Sequence, residues 1–139
     1  MLPKMQLDLF AGIPVGDFVE ARKWYEQLLG SPPAFLPHKT EAVWELAEHR
    51  YVYIVEQPDH AGHARLTIFV EDLDGMVAGI GARGLESTRR ESYPNGVRKV
   101  AYRDSDGNEI GFGGARERRT PRGSRSRQRT PSTVRSARK

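Results

Sequence analysis

The residues best suited to chemistry cluster in the middle of the chain: His38, Glu45 and Glu56, then His60, His63 and Arg65, with Trp44, Tyr51 and Tyr53 among them. Imidazoles and carboxylates can hold a divalent metal or move a proton. Aromatic rings supply stacking area, and a guanidinium grips a carboxylate or phosphate through two parallel hydrogen bonds. Spacing decides among these. No serine-nucleophile elbow, phosphate-binding glycine loop, dinucleotide fingerprint or H-E-x-x-H occurs. There is no Cys, which excludes disulfides, thiolate ligands and a thiol nucleophile. DSDGNE (104–109) has the acids of a calcium loop but lacks its twelve-residue spacing and flanking helices, so a hairpin turn accounts for it. The chain offers groups that bind, without a recognisable catalytic set.

The elements that must position these groups repeat. LDLFAGIPV (7–15) reads as a strand, with Pro14 near its end, at a bulge or at a sheet edge. DFVEARKWYEQLLG (17–30) is a helix whose apolar face carries Phe18, Ala21, Trp24, Tyr25, Leu28 and Leu29. Asp17 is its N-cap, with Glu20 in capping-box position, and Gly30 is its stop. Short strands follow at 34–38, 41–47 and 51–56, then a polar linker at 57–64. The pattern restarts with RLTIFV (65–70), a helix at 73–84 burying Leu73, Met76, Val77 and Ile80, and strands at 85–91, 97–104 and 109–113. Ile13-x-Val15-x-Asp17-Phe18 matches Ile68-x-Val70-x-Asp72-Leu73 at an offset of 55 residues. Each half is therefore predicted to be β-α-β-β-β, and one such half cannot cover both faces of its sheet alone. The expected fold is α+β: paired βαβββ modules at about 7–56 and 65–114 forming curved mixed sheets within a 1–115 domain.

IPVGDFVEARKWYEQLLG (13–30), IFVEDLDGMVAGIGARG (68–84) and YRDSDGNEIGF (102–112) together resemble the vicinal oxygen chelate superfamily of glyoxalases, extradiol dioxygenases and bleomycin-resistance proteins. The last segment is similar to the family's D-P-D-G-N-x-I hairpin, with Ser105 in place of Pro. The resemblance implies a metal-ligand position seven residues before the Asp that opens each helix, and a closing Glu after D-G-N-x-I. Here those positions hold Phe10, Arg65 and Gly111. Glu56, 55 residues before Gly111, would stand where some relatives add an acid, and His63 would restore a ligand with a register shift of two. No cofactor is expected, and a displaced divalent site at Glu56 and His63 is the alternative.

The cleft candidates are Phe10, Trp44, Tyr53, Arg65 and Tyr93. Phe10, alternating with Ala11 and Ile13, shares the cleft side with Gly12 and Pro14, either receiving an apolar guest or filling the cup itself. Arg65 either binds an anionic ligand or pairs with an acid such as Glu56. Trp44 lines a pocket or belongs to the core, and Tyr93 closes over the second cup or is an ordinary turn aromatic. The resemblance implies a small-molecule binder of the resistance or sequestering type, with a lyase- or isomerase-like enzyme or a non-catalytic scaffold as alternatives. It also implies a homodimer.

Residues 116–139 contain ten Arg or Lys and one acid, Glu117, so the chain's +4 less this segment's +9 leaves −5 on residues 1–115. Such a composition cannot offset its ordering entropy, and a disordered tail is expected, whose charge either makes weak, nonspecific nucleic-acid contact or folds back loosely on the acidic domain. It has no aromatic residue to stack on bases. No apolar run reaches the roughly 20 residues of a membrane span. The start of the chain lacks a leader's apolar segment, so a cytoplasmic protein is expected.

Overall fold

A computed structural model describes residues 4–115, and the basic segment 116–139 lies outside the described residues. The first half consists of β1 (Leu9–Val15), α1 (Phe18–Leu29), β2 (Phe35–His38), β3 (Glu41–Ala47) and β4 (Arg50–Glu56). A short 3-10 turn at Pro58–His60 leads to β5 (Arg65–Phe69), α2 (Leu73–Ala82), β6 (Arg89–Ser92), β7 (Arg98–Arg103) and β8 (Glu109–Gly114). The sheet orders are β1-β4-β3-β2 and β5-β8-β7-β6, so the two halves share one topology. In each, the strand before the helix pairs in parallel with the last strand of its half, and the remaining pairs are antiparallel. The expected α+β fold of paired βαβββ modules is the one observed. Pro14 lies on the edge strand β1, where its missing N–H costs no ladder bond.

The helix boundaries follow from matched caps. Asp17 accepts a hydrogen bond from the Glu20 amide at 3.2 Å, and Asp72 accepts one from Gly75 at 2.9 Å. The second acid at the start of α1 is Glu56 rather than Glu20: it accepts from the Phe18 amide at 2.9 Å across 38 residues. At the other end Gly30 takes the left-handed conformation that the helix stop requires. Arg83 donates to the Gln27 and Leu28 carbonyls there, placing a cation on the negative end of α1 and tying the halves together.

One core runs through both halves, joining Ile13, Tyr25, Leu28, Trp44 and Ile54 to Leu73, Ile80, Tyr102, Ile110 and Phe112. The expected stripes of both helices face it, and the side of β1 that alternates with Phe10 enters it from Ala11 onward, leaving Leu9, at the first position of the strand, exposed. The predicted strand at 85–91 begins four residues later, at Arg89, although the Thr88 amide already bonds the Ala101 carbonyl. Among the described residues no helix is long and apolar enough to cross a membrane.

The halves are locked by the 104–108 turn. One Asp104 carboxylate oxygen accepts from the amides of Asp106, Gly107 and Asn108; the other accepts from the Tyr25 hydroxyl and the Asn108 amide nitrogen, each at 2.8 Å. Asn108, fully buried, also donates to the Pro14 carbonyl at 2.8 Å and accepts from the Gly62 and Ala64 amides. Burial and the neighbouring Asp104 push the Tyr25 hydroxyl well above its ordinary value, so it keeps its proton and serves as a hydrogen-bond donor. Asn108→Ala orphans buried groups on three segments at once, each costing about 1–3 kcal/mol. The expected loss is about 3 kcal/mol or more, read by urea denaturation; a change below about 0.5 kcal/mol would show that the turn is not a lock.

Candidate functional site

Each sheet turns one face to the core and leaves the other open. Strand alternation and pairing place Phe10, Gly12 and Pro14 of β1, Tyr51 and Tyr53 of β4, and Glu41, Val43 and Glu45 of β3 on the open face of the first sheet. Phe10 and Tyr51, directly paired, stack with ring centroids 4.3 Å apart and planes 8° from parallel. Tyr53 lies flat over Gly12, where a Cβ would stand 2.5 Å from the ring and its hydroxyl, so only glycine lets the ring rest on the strand. Burial, followed by the carboxylates of Glu45, Asp8 and Glu48, raises the Tyr51 hydroxyl above its usual range. The face is aromatic at its centre and acidic at its border.

Trp44 does not belong to this face. Its neighbour across the sheet is Val52, and both point to the core, where Trp44 is 2% exposed, lies near Tyr25 and donates to the Ser31 carbonyl at 2.9 Å. Its parity along β3, opposite to that of Val43 and Glu45, was visible in the sequence; which parity faced the core was not.

The open face of the second sheet is charged. It carries Arg65 and Thr67 of β5, Glu109 and Gly111 of β8, Lys99 and Arg103 of β7, and Arg89 and Glu91 of β6. Glu109 is nearly inaccessible and accepts from Arg89 through both oxygens, at 2.9 and 3.0 Å. Arg65 pairs with this Glu109, at 3.5 Å, and not with Glu56. Tyr93, half exposed in the β6–β7 turn, donates to Glu91 at 2.5 Å. Sequence reasoning missed Glu109, Arg89 and Lys99 as a group; the signal was their shared strand parity around Gly111.

Register also corrects the expected equivalence of Glu56 and Gly111. Gly12 pairs with Tyr53 as Thr67, its counterpart at the offset of 55, pairs with Gly111, so Tyr53 is the first-half equivalent. Glu56 instead serves the α1 N-terminus, and His63 is exposed in the linker before β5. The metal of the resembling family fits this set poorly. Phe10 and Gly111 offer no donor atom, Arg65 is a cation, and the Lys99 stem crosses Gly111 with its Cε 2.6 Å from where a Cβ would stand. Among the described residues no group of three or more His, Asp or Glu is arranged so that it could hold a metal ion.

Hydrogen bonds from Arg89 hold the Glu109 carboxyl below the ordinary carboxylate range, against the opposing cost of burial, with Arg65 and Lys99 adding to the effect. A carboxyl depressed in the folded state contributes stability that is complete above its ordinary value and is lost as pH falls through the folded value. Wild-type protein should therefore lose stability below about pH 4 more steeply than Glu109→Gln in denaturation curves measured across pH. Parallel profiles would remove Glu109 from the acid-sensitive groups.

Residues 6–112 match the model of the Glyoxalase/Bleomycin resistance protein/Dioxygenase superfamily. A glyoxalase/bleomycin resistance protein from Catenulispora acidiphila DSM 44928 is 57% identical, with 79% of this chain and 99% of that one covered and a TM-score of 0.77. One from Streptomyces sp. CB03234 is 25% identical over 76% of this chain and 97% of its own, with a TM-score of 0.59. A lactoylglutathione lyase from Agrobacterium tumefaciens shares the fold at 14% identity, over 81% of this chain and 95% of its own, with a TM-score of 0.64. No curated protein is similar enough to match. Duplicated topology, matched caps, the locking turn and these likenesses agree: the chain belongs to the glyoxalase/bleomycin resistance protein/dioxygenase superfamily.

Proposed function

We propose that this protein binds a small molecule without a metal, in the manner of a resistance or sequestering protein, and that it does so as a cytoplasmic homodimer. The observation that carries the reading is the stacked Phe10–Tyr51 pair beside Tyr53, an aromatic platform on the face where metal-dependent relatives would need ligands. Phe10 is 46% exposed, so the platform has stacking area to offer a flat guest. The bleomycin-resistance name carried by the relative at 57% identity supports the same class.

Pairing two copies suits the charges. The first open face carries Glu41 and Glu45, whereas the second carries Arg65, Arg89, Lys99 and Arg103 against Glu91 and Glu109. A twofold dimer that sets the first face of one copy against the second face of the other would bring opposite charges together and wall a cleft over the aromatic platform.

Nile red, a flat neutral dye, should bind wild-type protein with unchanged affinity in EDTA, and Phe10→Ala should bind about five- to tenfold more weakly. Loss of binding in EDTA, or full affinity in Phe10→Ala, would overturn the metal-free aromatic site. Light scattering should give about twice the 15.7 kDa chain mass, falling toward one chain in about 1 M salt. A monomer at every concentration would defeat the paired-face arrangement.

A further inference from the structure

The second open face holds more positive charge than its own carboxylates satisfy. Arg89 occupies both Glu109 oxygens, and Glu91, its other acid, is taken by Arg89 Nε at 3.1 Å and by the Tyr93 hydroxyl. Three more cations stand around Glu109 without hydrogen-bonding to it: Arg65 Nη2 and Arg103 Nη2 at 3.5 Å and Lys99 Nζ at 3.9 Å. They come from β5 and β7, the strands on either side of β8, so they converge over its first residues, Glu109 to Gly111. In the single chain the side chains of Arg65 and Arg103 are 71% and 53% exposed, so Glu109 leaves donors on both that can turn toward a molecule in the cleft. Lys99 is the inner member, held by its stem lying across Gly111.

We infer that Arg65, Lys99 and Arg103 form an oxyanion subsite that takes a carboxylate or phosphate group of the bound molecule. The inference rests on the small-molecule reading above and specifies the ligand's chemistry. Glu109 gives the subsite its shape. It fixes Arg89 as a rigid base and removes enough charge for three further cations to gather when no ligand is present, while saturating none of them. An arriving oxyanion then finds donors on two sides and a deep ammonium, with little side-chain ordering left to do. Arg65 supplies the planar two-pronged donor and Lys99 the point charge.

Gly111 gives a test that leaves every charge in place. A methyl group there meets only the flexible Lys99 stem at close range, so Gly111→Ala shifts the ammonium while sparing the fold. Binding of inorganic phosphate and of benzoate to the full chain would be measured by calorimetry at constant ionic strength, with thermal melts confirming that each variant folds. Preference for one anion over the other distinguishes a phosphate from a carboxylate ligand. Arg65→Gln, Lys99→Gln and Gly111→Ala should each weaken the preferred anion at least fivefold, whereas Arg22→Gln, which breaks a pair with Glu26 on α1, should not. Equal affinity in all four variants would assign the binding to other basic residues and overturn the subsite, as would failure of both anions to bind wild-type protein. Nile red affinity is read separately, so loss of the anion subsite and loss of the aromatic platform are distinguishable.

Discussion

Everything that positions the two faces depends on a single buried asparagine. Asn108 reaches the carbonyl of an edge strand in the first half and the amides of the inter-module linker, while its own turn is closed by Asp104. An amide side chain suits this post because it donates and accepts at once, and burial makes each bond costly to lose. Tyr25 brings α1 to the same knot, so helix, strand, linker and closing hairpin meet within one hydrogen-bonded cluster. The two sheets hold a fixed relation because of this knot as much as because of their shared apolar core.

On this common frame the halves have diverged in what they display. Equivalent positions hold Phe10 and Arg65, Tyr51 and Glu109, and Tyr53 and Gly111. The backbone is repeated while the chemistry is not: one face is aromatic with an acidic border, and the other is a lattice of guanidinium, ammonium and carboxylate groups. Glycine serves both. At position 12 it lets a tyrosine lie against the strand, and at position 111 it does the same for a lysine stem. Each half thus uses a missing Cβ on one strand to flatten a long side chain from the next.

The frame was largely legible in the sequence. Helical periodicity, the Asp17 and Asp72 caps and the offset of 55 residues gave both modules, because these signals are local and their physics is one-dimensional. The cleft was legible only in part. Alternation along each strand is local too, and it put Phe10 with Gly12 and Tyr51 with Tyr53; the parallel pairing of β1 with β4 then sets the two pairs on one face. Trp44 needed knowledge of which parity of β3 turned inward, which the helix packed on the sheet decides. The partners of Glu109 come from three other strands, and their convergence depends on registers that no single segment encodes. Equating Glu56 with Gly111 by counting failed for the same reason, since the loops between strands differ in length between the halves.

The lysine laid over Gly111 constrains what else these faces could be made to hold. A carboxylate introduced there would have to displace that flexible stem and would then pair with its ammonium, and a histidine at position 10 would face a partner half still occupied by guanidinium groups. No one substitution on the path to a metal centre improves matters by itself. Building a metal centre on these faces would therefore require coordinated changes at positions 10, 65, 99 and 111 together.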